Sequence, residues 1–91
     1  MNEDRKAYEL YTEVESSLSE DMQEVKRSAL SGDAASQFKI GLHYFDTGMN
    51  TGDSRVMMPV GIGFMARAAK QGQADALGFF RREGQDWRDF I

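Results

Sequence analysis

Two stretches of this chain, 40 residues apart, carry the same pattern of alanine and glycine. Alanine stands at both ends and glycine in the fourth place of Ala29-Leu30-Ser31-Gly32-Asp33-Ala34 and of Ala69-Lys70-Gln71-Gly72-Gln73-Ala74. Each glycine falls where one helical pattern stops and the next begins, and a residue without a side chain lets two helices turn tightly and pack closely. A repeat at this spacing is typical of stacked helical hairpins.

Glycine is also unevenly distributed. All nine glycines lie between Gly32 and Gly84, which predicts a helical N-terminal part followed by shorter elements with tight turns. A chain of 91 residues buries enough surface for one modest core. We therefore predict one all-α domain over residues 1–91, a short α-solenoid of antiparallel helical hairpins with about five helices. Its parts are acidic N-terminal helices over 1–31, a repeat region over 32–84 and an aromatic C-terminal cap over 85–91.

The N-terminal part has the apolar spacing of a helix. Apolar residues recur every three or four positions from Ala7 to Ala29, which places them on one helical face. A capping-box match that begins at Ser17 predicts one helix near 3–16 and a second near 18–31. A single unbroken helix is the alternative, because the apolar stripe continues across the serines.

Glycine and proline delimit the remaining elements. A helix that starts after the first repeated glycine is expected to end at Gly48, and a polar loop is expected over 49–57. Pro59 fits the first turn of a helix that reaches about Gln71. One more short helix is expected over 74–82.

Glycine, alanine and aromatic residues follow a fixed order around these corners. The residues that carry this order are Gly32, Ser36 in an alanine place, Ile40 in a leucine place, Gly41, Tyr44, Gly48, Gly52, Phe64, Met65, Ala68, Ala69 and Gly72. The order resembles the Sel-one-like repeat family, glycine-rich relatives of tetratricopeptide α-solenoids. In that family a helix with Ala-x-x-x-Leu-Gly-x-x-Tyr follows a glycine corner and precedes a helix with an aromatic pair and Ala-Ala.

The resemblance covers about residues 28–80, as one good repeat flanked by partial copies. Gly61 stands in an alanine place, and Leu77-Gly78 comes about three residues early in the last copy. The resemblance implies adaptor work through protein contacts. It also implies structural roles for four glycines, Gly32, Gly41, Gly48 and Gly72.

Negative charge is concentrated at the N-terminus. Residues 1–33 hold nine acidic and four basic residues, a net charge of −5, whereas residues 34–91 hold six acidic and seven basic residues, a net charge of +1. Phosphate backbones require a basic stripe, so direct binding of nucleic acid is not expected. We take Glu9, Glu13 and Glu20 as candidate contacts to a basic protein partner. An ordinary solvated helix face is the alternative.

The sequence offers little chemistry for catalysis or for a cofactor. The absence of cysteine excludes disulfides and cysteine-based zinc sites. A G-x-G-x-x-A stretch over 61–66 resembles a dinucleotide fingerprint, but the helical context around Pro59 favours a packing role for its glycines. His43 has Asp46 three residues later but no evident nucleophile beside it. We therefore expect no enzyme, no cofactor and no metal.

Apolar residues outside the repeat positions are the remaining candidates for partner contact. Aromatic residues alternate with arginines from 79 to 90, an arrangement that suits either an end cap or a protein contact. Methionines fill gaps in cores, and the pair at 57–58 is expected to be the most exposed of the six. The candidate partner-binding set is completed by His43, Met57, Met58, Phe80, Trp87 and Phe90.

The small number of repeats indicates a protein partner. Solenoids usually need about three stacked units with polar end caps, and this chain has barely two. Either its own termini act as caps, or another polypeptide, including a second copy in a homodimer, completes the stack. The charged first residues and the lack of a long apolar stretch predict a cytoplasmic protein with no membrane span.

We therefore expect a non-enzymatic protein–protein interaction module, an adaptor of the Sel-one-like kind. The alternative is a small acidic inhibitor, such as an immunity protein, an antitoxin-like protein or a phage-encoded antagonist. Such an inhibitor would block a host enzyme or a nucleic-acid-binding complex, and the acidic N-terminal third would steer it to a basic site.

Overall fold

The computed structural model describes residues 2–52 and 55–91, whose regular secondary structure is entirely helical. The five α-helices are α1 (Asn2–Ser16), α2 (Glu20–Leu30), α3 (Ala34–Thr51), α4 (Met57–Lys70) and α5 (Ala74–Glu83), and a 3₁₀ helix (Trp87–Phe90) follows them. The predicted all-α class with five helices is confirmed, and the packing of α2 on α3 and of α3 on α4 is compatible with a small repeat-like bundle. Of the helices described, none combines the length and the apolar content needed to cross a bilayer.

The most extensively packed helix pair is α3 and α4, and two glycines make their close approach possible. A Cβ atom placed on Gly61 would lie 2.5 Å from the Gly41 carbonyl oxygen and 2.7 Å from the Phe45 nitrogen. A Cβ atom on Gly41 would lie 2.7 Å from the Gly61 carbonyl oxygen. All three distances are far inside van der Waals contact, so the two backbones meet where neither residue has a side chain.

The two repeated corners have the same backbone geometry. Gly32 has φ 106° and Gly72 has φ 85°, a left-handed conformation that glycine adopts without steric strain. Beyond each glycine the next amide donates to a carbonyl five residues back, from Asp33 to Ser28 at 3.0 Å and from Gln73 to Ala68 at 3.1 Å. The side chains of Asp33 and Gln73 then cap α3 and α5.

A chain of side-chain amides connects the two corners. The Gln71 amide donates to the Gly32 carbonyl oxygen at 2.8 Å and to the Gln37 side-chain oxygen at 3.0 Å. Gln37 is buried, and its own amide donates to the Ala29 carbonyl oxygen at 3.2 Å. These bonds hold the α2–α3 corner and the α4–α5 corner against each other.

The core has two parts, one on each side of the α3–α4 pair. The first part lies between α4 and α5 and is built from Met65, Ala66, Ala68, Ala69, Ala76, Phe79 and Phe80. The second lies towards α1 and α2 and is built from Leu18, Ala29, Ile40, Tyr44, Met57 and Phe64. Trp87 packs on the first part, and the α1 residues Leu10, Tyr11 and Val14 pack on the second. Each part is thus flanked by an element from one terminus of the chain.

Two expected boundaries were wrong. Gly48 does not end the third helix, because it is buried inside α3, which continues to Thr51. The helix ends instead at Gly52, whose φ of 78° lets the backbone turn away. The predicted polar loop is therefore shorter than expected, and its residues 53–54 lie outside the described part of the chain. At the N-terminus the chain forms the two helices that were predicted, but the second begins after Ser19, whose hydroxyl caps it, and not after Ser17.

Candidate functional site

Helix α1 meets the rest of the molecule through a mixed polar and aromatic cluster, which we call the Tyr11 cluster. It consists of Tyr11 and Glu15 on α1, Lys26 on α2 and Tyr44 on α3. The Tyr11 hydroxyl donates to Glu15 Oε2 at 2.7 Å, and the Lys26 ammonium forms an ion pair with the same oxygen. The two tyrosine ring centroids are 5.4 Å apart, and Lys26 Nζ lies 5.7 Å from the Tyr44 centroid. The cluster therefore joins three helices.

The environment of the cluster fixes its protonation states. Burial raises the pKa of Tyr44, and burial together with the Glu15 hydrogen bond raises that of Tyr11. The Lys26 hydrogen bond lowers the pKa of Glu15. Burial disfavours the charged form of Lys26, but the interactions with Glu15 and Tyr44 outweigh this effect, so the Lys26 pKa is raised.

These shifts favour a structural ion pair rather than acid–base chemistry. Both tyrosines stay protonated at neutral pH, Lys26 stays an ammonium and Glu15 a carboxylate. The pKa of each group is therefore shifted away from neutral pH, whereas a general base needs a pKa close to it. Tyr44 is fully buried, and its hydroxyl has no hydrogen-bond partner within the described residues. The lysine charge lies close enough to act on that hydroxyl electrostatically.

A groove opens where the α1–α2 turn faces the C-terminal half of α3. Its volume is about 330 Å³, and its lining is Val14, Ser17, Leu18, Ser19, Met22, His43 and Thr47. Three of these side chains, Val14, Leu18 and Met22, are apolar, while three hydroxyl groups and one imidazole supply the polar atoms. Its lining contains no acidic side chain, and across the described residues no group of three or more histidine, aspartate or glutamate side chains is placed to hold a metal ion.

The structure separates the predicted site residues into different places. Glu9, Glu13 and Glu20 are exposed on α1 and α2. His43 is half-buried and lines the groove. Trp87 is half-buried on the α5 side of the core. Phe90 is 37% exposed, with its ring centroid 5.7 Å from that of Phe80. The nine candidates therefore do not form one surface.

Two of the candidates are not available at the surface. The expectation that Met57 is exposed was wrong: it is fully buried, because it lies on the same helical face as Gly61 and Phe64, which packs against α3. Phe80 is also buried, with Ala76 one turn before it on the same face of α5. Met58, the next residue after Met57, is half-buried.

Sequence reasoning missed the Tyr11 cluster and the amide link between the corners. The four-residue spacing of Tyr11 and Glu15 was a usable signal, because such residues are neighbours on a helix. Lys26 lies on another helix, and its approach to Glu15 depends on how α1 crosses the bundle. The contact of Gln71 with Gly32 likewise requires the folded arrangement of both corners.

Comparison with protein-family models, with curated proteins and with solved structures finds no match to this chain.

Proposed function

We propose that this chain is a non-enzymatic module that binds another protein through the outer face of α1. The observation that carries the proposal is Tyr8, a tyrosine with 63% of its surface exposed. Its ring packs edge-on against that of Tyr11, with the centroids 6.3 Å apart, so the exposed ring is held in place by a residue of the Tyr11 cluster. Tyrosines held in this way are frequent anchors of protein interfaces, since they offer a large contact area with few rotatable bonds.

The charge around Tyr8 favours a basic partner. Glu9 and Glu13 are exposed on the same helix, and Glu9 is only partly neutralised by Arg5, which lies 3.6 Å away. Carboxylates at the rim of an interface accelerate association with a positively charged surface. The order of residues that resembles Sel-one-like repeats supports protein binding as the function, because that family works through protein contacts, although it covers about residues 28–80 and not α1.

A second candidate function is inhibition of an enzyme or of a nucleic-acid-binding complex by an acidic surface. The observation that favours it is the exposure of Glu9, Glu13 and Glu20, which all lie in the strongly acidic N-terminal third. In this case electrostatic attraction controls binding. Changing all three residues to lysine would then slow association strongly at low salt.

The experiment is affinity capture of partners with the whole chain, followed by binding kinetics with each captured protein. We expect Tyr8→Ala to raise the dissociation rate and Glu13→Lys to lower the association rate. Glu83→Lys is the matched control, since it makes the same charge change at an exposed position on α5. The proposal fails if no captured protein distinguishes Tyr8→Ala from the unmodified chain, or if the chain turns over a small molecule in a His43-dependent manner.

A further inference from the structure

The connection between α1 and α2 differs from the other connections between helices. The α2–α3, α3–α4 and α4–α5 connections each contain a glycine with positive φ: Gly32, Gly52 and Gly72. The α1–α2 turn, Ser17–Ser19, has no residue with positive φ, and no glycine or proline occurs in the first 31 residues. An ordinary helix can therefore pass through this turn without a residue that resists helical geometry.

The turn is already close to a helix. The Ser17 amide donates to the Glu13 carbonyl at 3.1 Å, and the Gln23 amide donates to the Ser19 carbonyl at 2.9 Å, both with helical spacing. Ser19 has φ −61°, a helical value, and departs from a helix in its ψ of 162°. Its hydroxyl accepts a hydrogen bond from the Met22 amide at 3.2 Å, which in a continuous helix would donate to the Leu18 carbonyl instead. Straightening the turn replaces this cap by a bond to the Leu18 carbonyl, which in the bent form accepts from the Gln23 side-chain amide at 2.9 Å.

The apolar pattern fits the straight form as well as the bent form. Leu10, Val14, Leu18, Met22 and Val25 continue one stripe with steps of three or four across the turn. In a continuous helix, the 15 residues of α1 would project about 22 Å beyond α2. That segment would no longer reach its own site beside Tyr44 and α4.

We propose that this chain forms a dimer in which two copies exchange α1. The straightened α1 of each copy fills the site that α1 occupies in the single chain, so Glu15 of one copy pairs with Lys26 of the other. A second copy is the occupant because this site already matches α1 in shape and in charge, through the Tyr11 ring, the apolar residues of α1 and the Glu15 carboxylate. Exchange of an identical element re-forms the same contacts between chains. The inference stands apart from the proposed function, which concerns the outer face of α1.

The first test uses two substitutions in the turn, one that weakens the bent form and one that favours it. Ser19→Ala removes the cap that favours the bent form. Glu20→Pro favours that form, because proline is suited to the first position of α2 and the extended ψ of Ser19 suits the residue before it. In a continuous helix the same proline would lack a required N–H group. Glu20→Ala is the control, since it removes the same charge without fixing the backbone.

Each chain is refolded at high concentration and its mass distribution measured by sedimentation. We expect Ser19→Ala to raise the association constant roughly tenfold or more, since the cap is lost in both copies. Glu20→Pro is expected to abolish the dimer, while Glu20→Ala retains it. The proposal is overturned if Glu20→Pro dimerises as well as Glu20→Ala.

The second test reports the exchange itself and does not depend on the turn variants. Glu15→Lys and Lys26→Glu each place like charges together within one chain. When the two variants are refolded together, an exchanged heterodimer restores both ion pairs, because each Lys–Glu pair then forms between different chains. Native mass spectrometry should show the heterodimer exceeding both homodimers. A statistical mixture, or monomers alone, contradicts the exchange.

Discussion

At Gly61 the position of a side chain is already occupied by the neighbouring helix. The nearest atoms to a Cβ there belong to the α3 backbone, at Gly41 and Phe45, and backbone atoms cannot rotate aside as the end of a flexible side chain can. Gly63 lies two residues along the same helix, and a Cβ there would meet nothing within 4 Å. One helix thus contains a glycine that packing requires and a glycine that packing does not require.

We expect Gly61→Ala to reduce the free energy of unfolding by about 2–4 kcal/mol, because α3 and α4 must separate to admit the methyl group. Gly63→Ala is the control and should increase it by about 0.5–1 kcal/mol, since alanine is the better helix former where there is space. Urea unfolding followed by circular dichroism measures both. A Gly61→Ala chain as stable as the unmodified protein would contradict the close approach of the two helices.

The residues also show what local sequence signals can and cannot predict. Gly32 and Gly72 were predictable as corners, because a helix end, a glycine and a cap lie side by side in the sequence. The burial of Met57 was not predictable, since a methionine next to a loop can lie on either the buried or the exposed face of the following helix. The partners of Tyr11 beyond Glu15 were not either, because they come from other helices.

At the scale of the elements, the helix boundaries were likewise predictable where neighbouring residues determine them and not where packing does. The five helices and their approximate limits follow from apolar spacing and capping residues. Gly48 was misread because a glycine within a helical pattern ends the helix in one context and packs inside it in another. Its burial within α3, which decides between these outcomes, is a tertiary property.

The docking of α1 should depend on pH through Glu15. The Lys26 hydrogen bond lowers the folded-state pKa of Glu15 below its ordinary value of 4.5, so the stabilisation is present above about pH 4.5 and is lost as the pH falls through the folded-state pKa. Glu15→Gln should lower stability at neutral pH and weaken the loss of stability on acidification. At the alkaline end, the raised pKa of Lys26 means that its contribution is present below pH 10.5 and is lost above the folded value.

The measurement is the free energy of urea unfolding as a function of pH. Glu13→Gln serves as the control, because it makes the same charge change at an exposed position on α1. Its pH profile should run parallel to that of the unmodified chain. If Glu15→Gln also runs parallel, the ion pair does not contribute to α1 docking.

For the whole molecule, both parts of the core share α3 and α4, so they should unfold together. Trp87 is the one tryptophan of the chain and lies half-buried at the C-terminal side of the core. Its fluorescence and the helical circular dichroism signal should therefore change at the same urea concentration. An earlier fluorescence transition would mean that the 3₁₀ helix separates before the core unfolds.

The energetic contribution of this terminal element can be measured directly. Trp87→Ala should reduce the free energy of unfolding by roughly 1–3 kcal/mol, less than truncation of a fully buried tryptophan, because part of the ring is exposed. Arg88→Ala is the comparison, since it keeps the indole and removes the arginine side chain, whose guanidinium carbon lies 4.9 Å from the indole ring centroid. A change of less than about 0.5 kcal/mol is expected there.

The equivalence of the two corners means that the length of this molecule is adjustable. The segment 33–72 begins just after Gly32 and ends on Gly72, the left-handed glycine of the second repeated corner, so its entry and exit have the same backbone geometry. A tandem duplicate of this segment would follow Gly72 with the same backbone geometry with which the original follows Gly32. The Gln71 amide of the added copy would then donate to the Gly72 carbonyl, as Gln71 now donates to the Gly32 carbonyl. The bundle could therefore grow by whole cassettes of 40 residues, with the terminal helices left unchanged at either end.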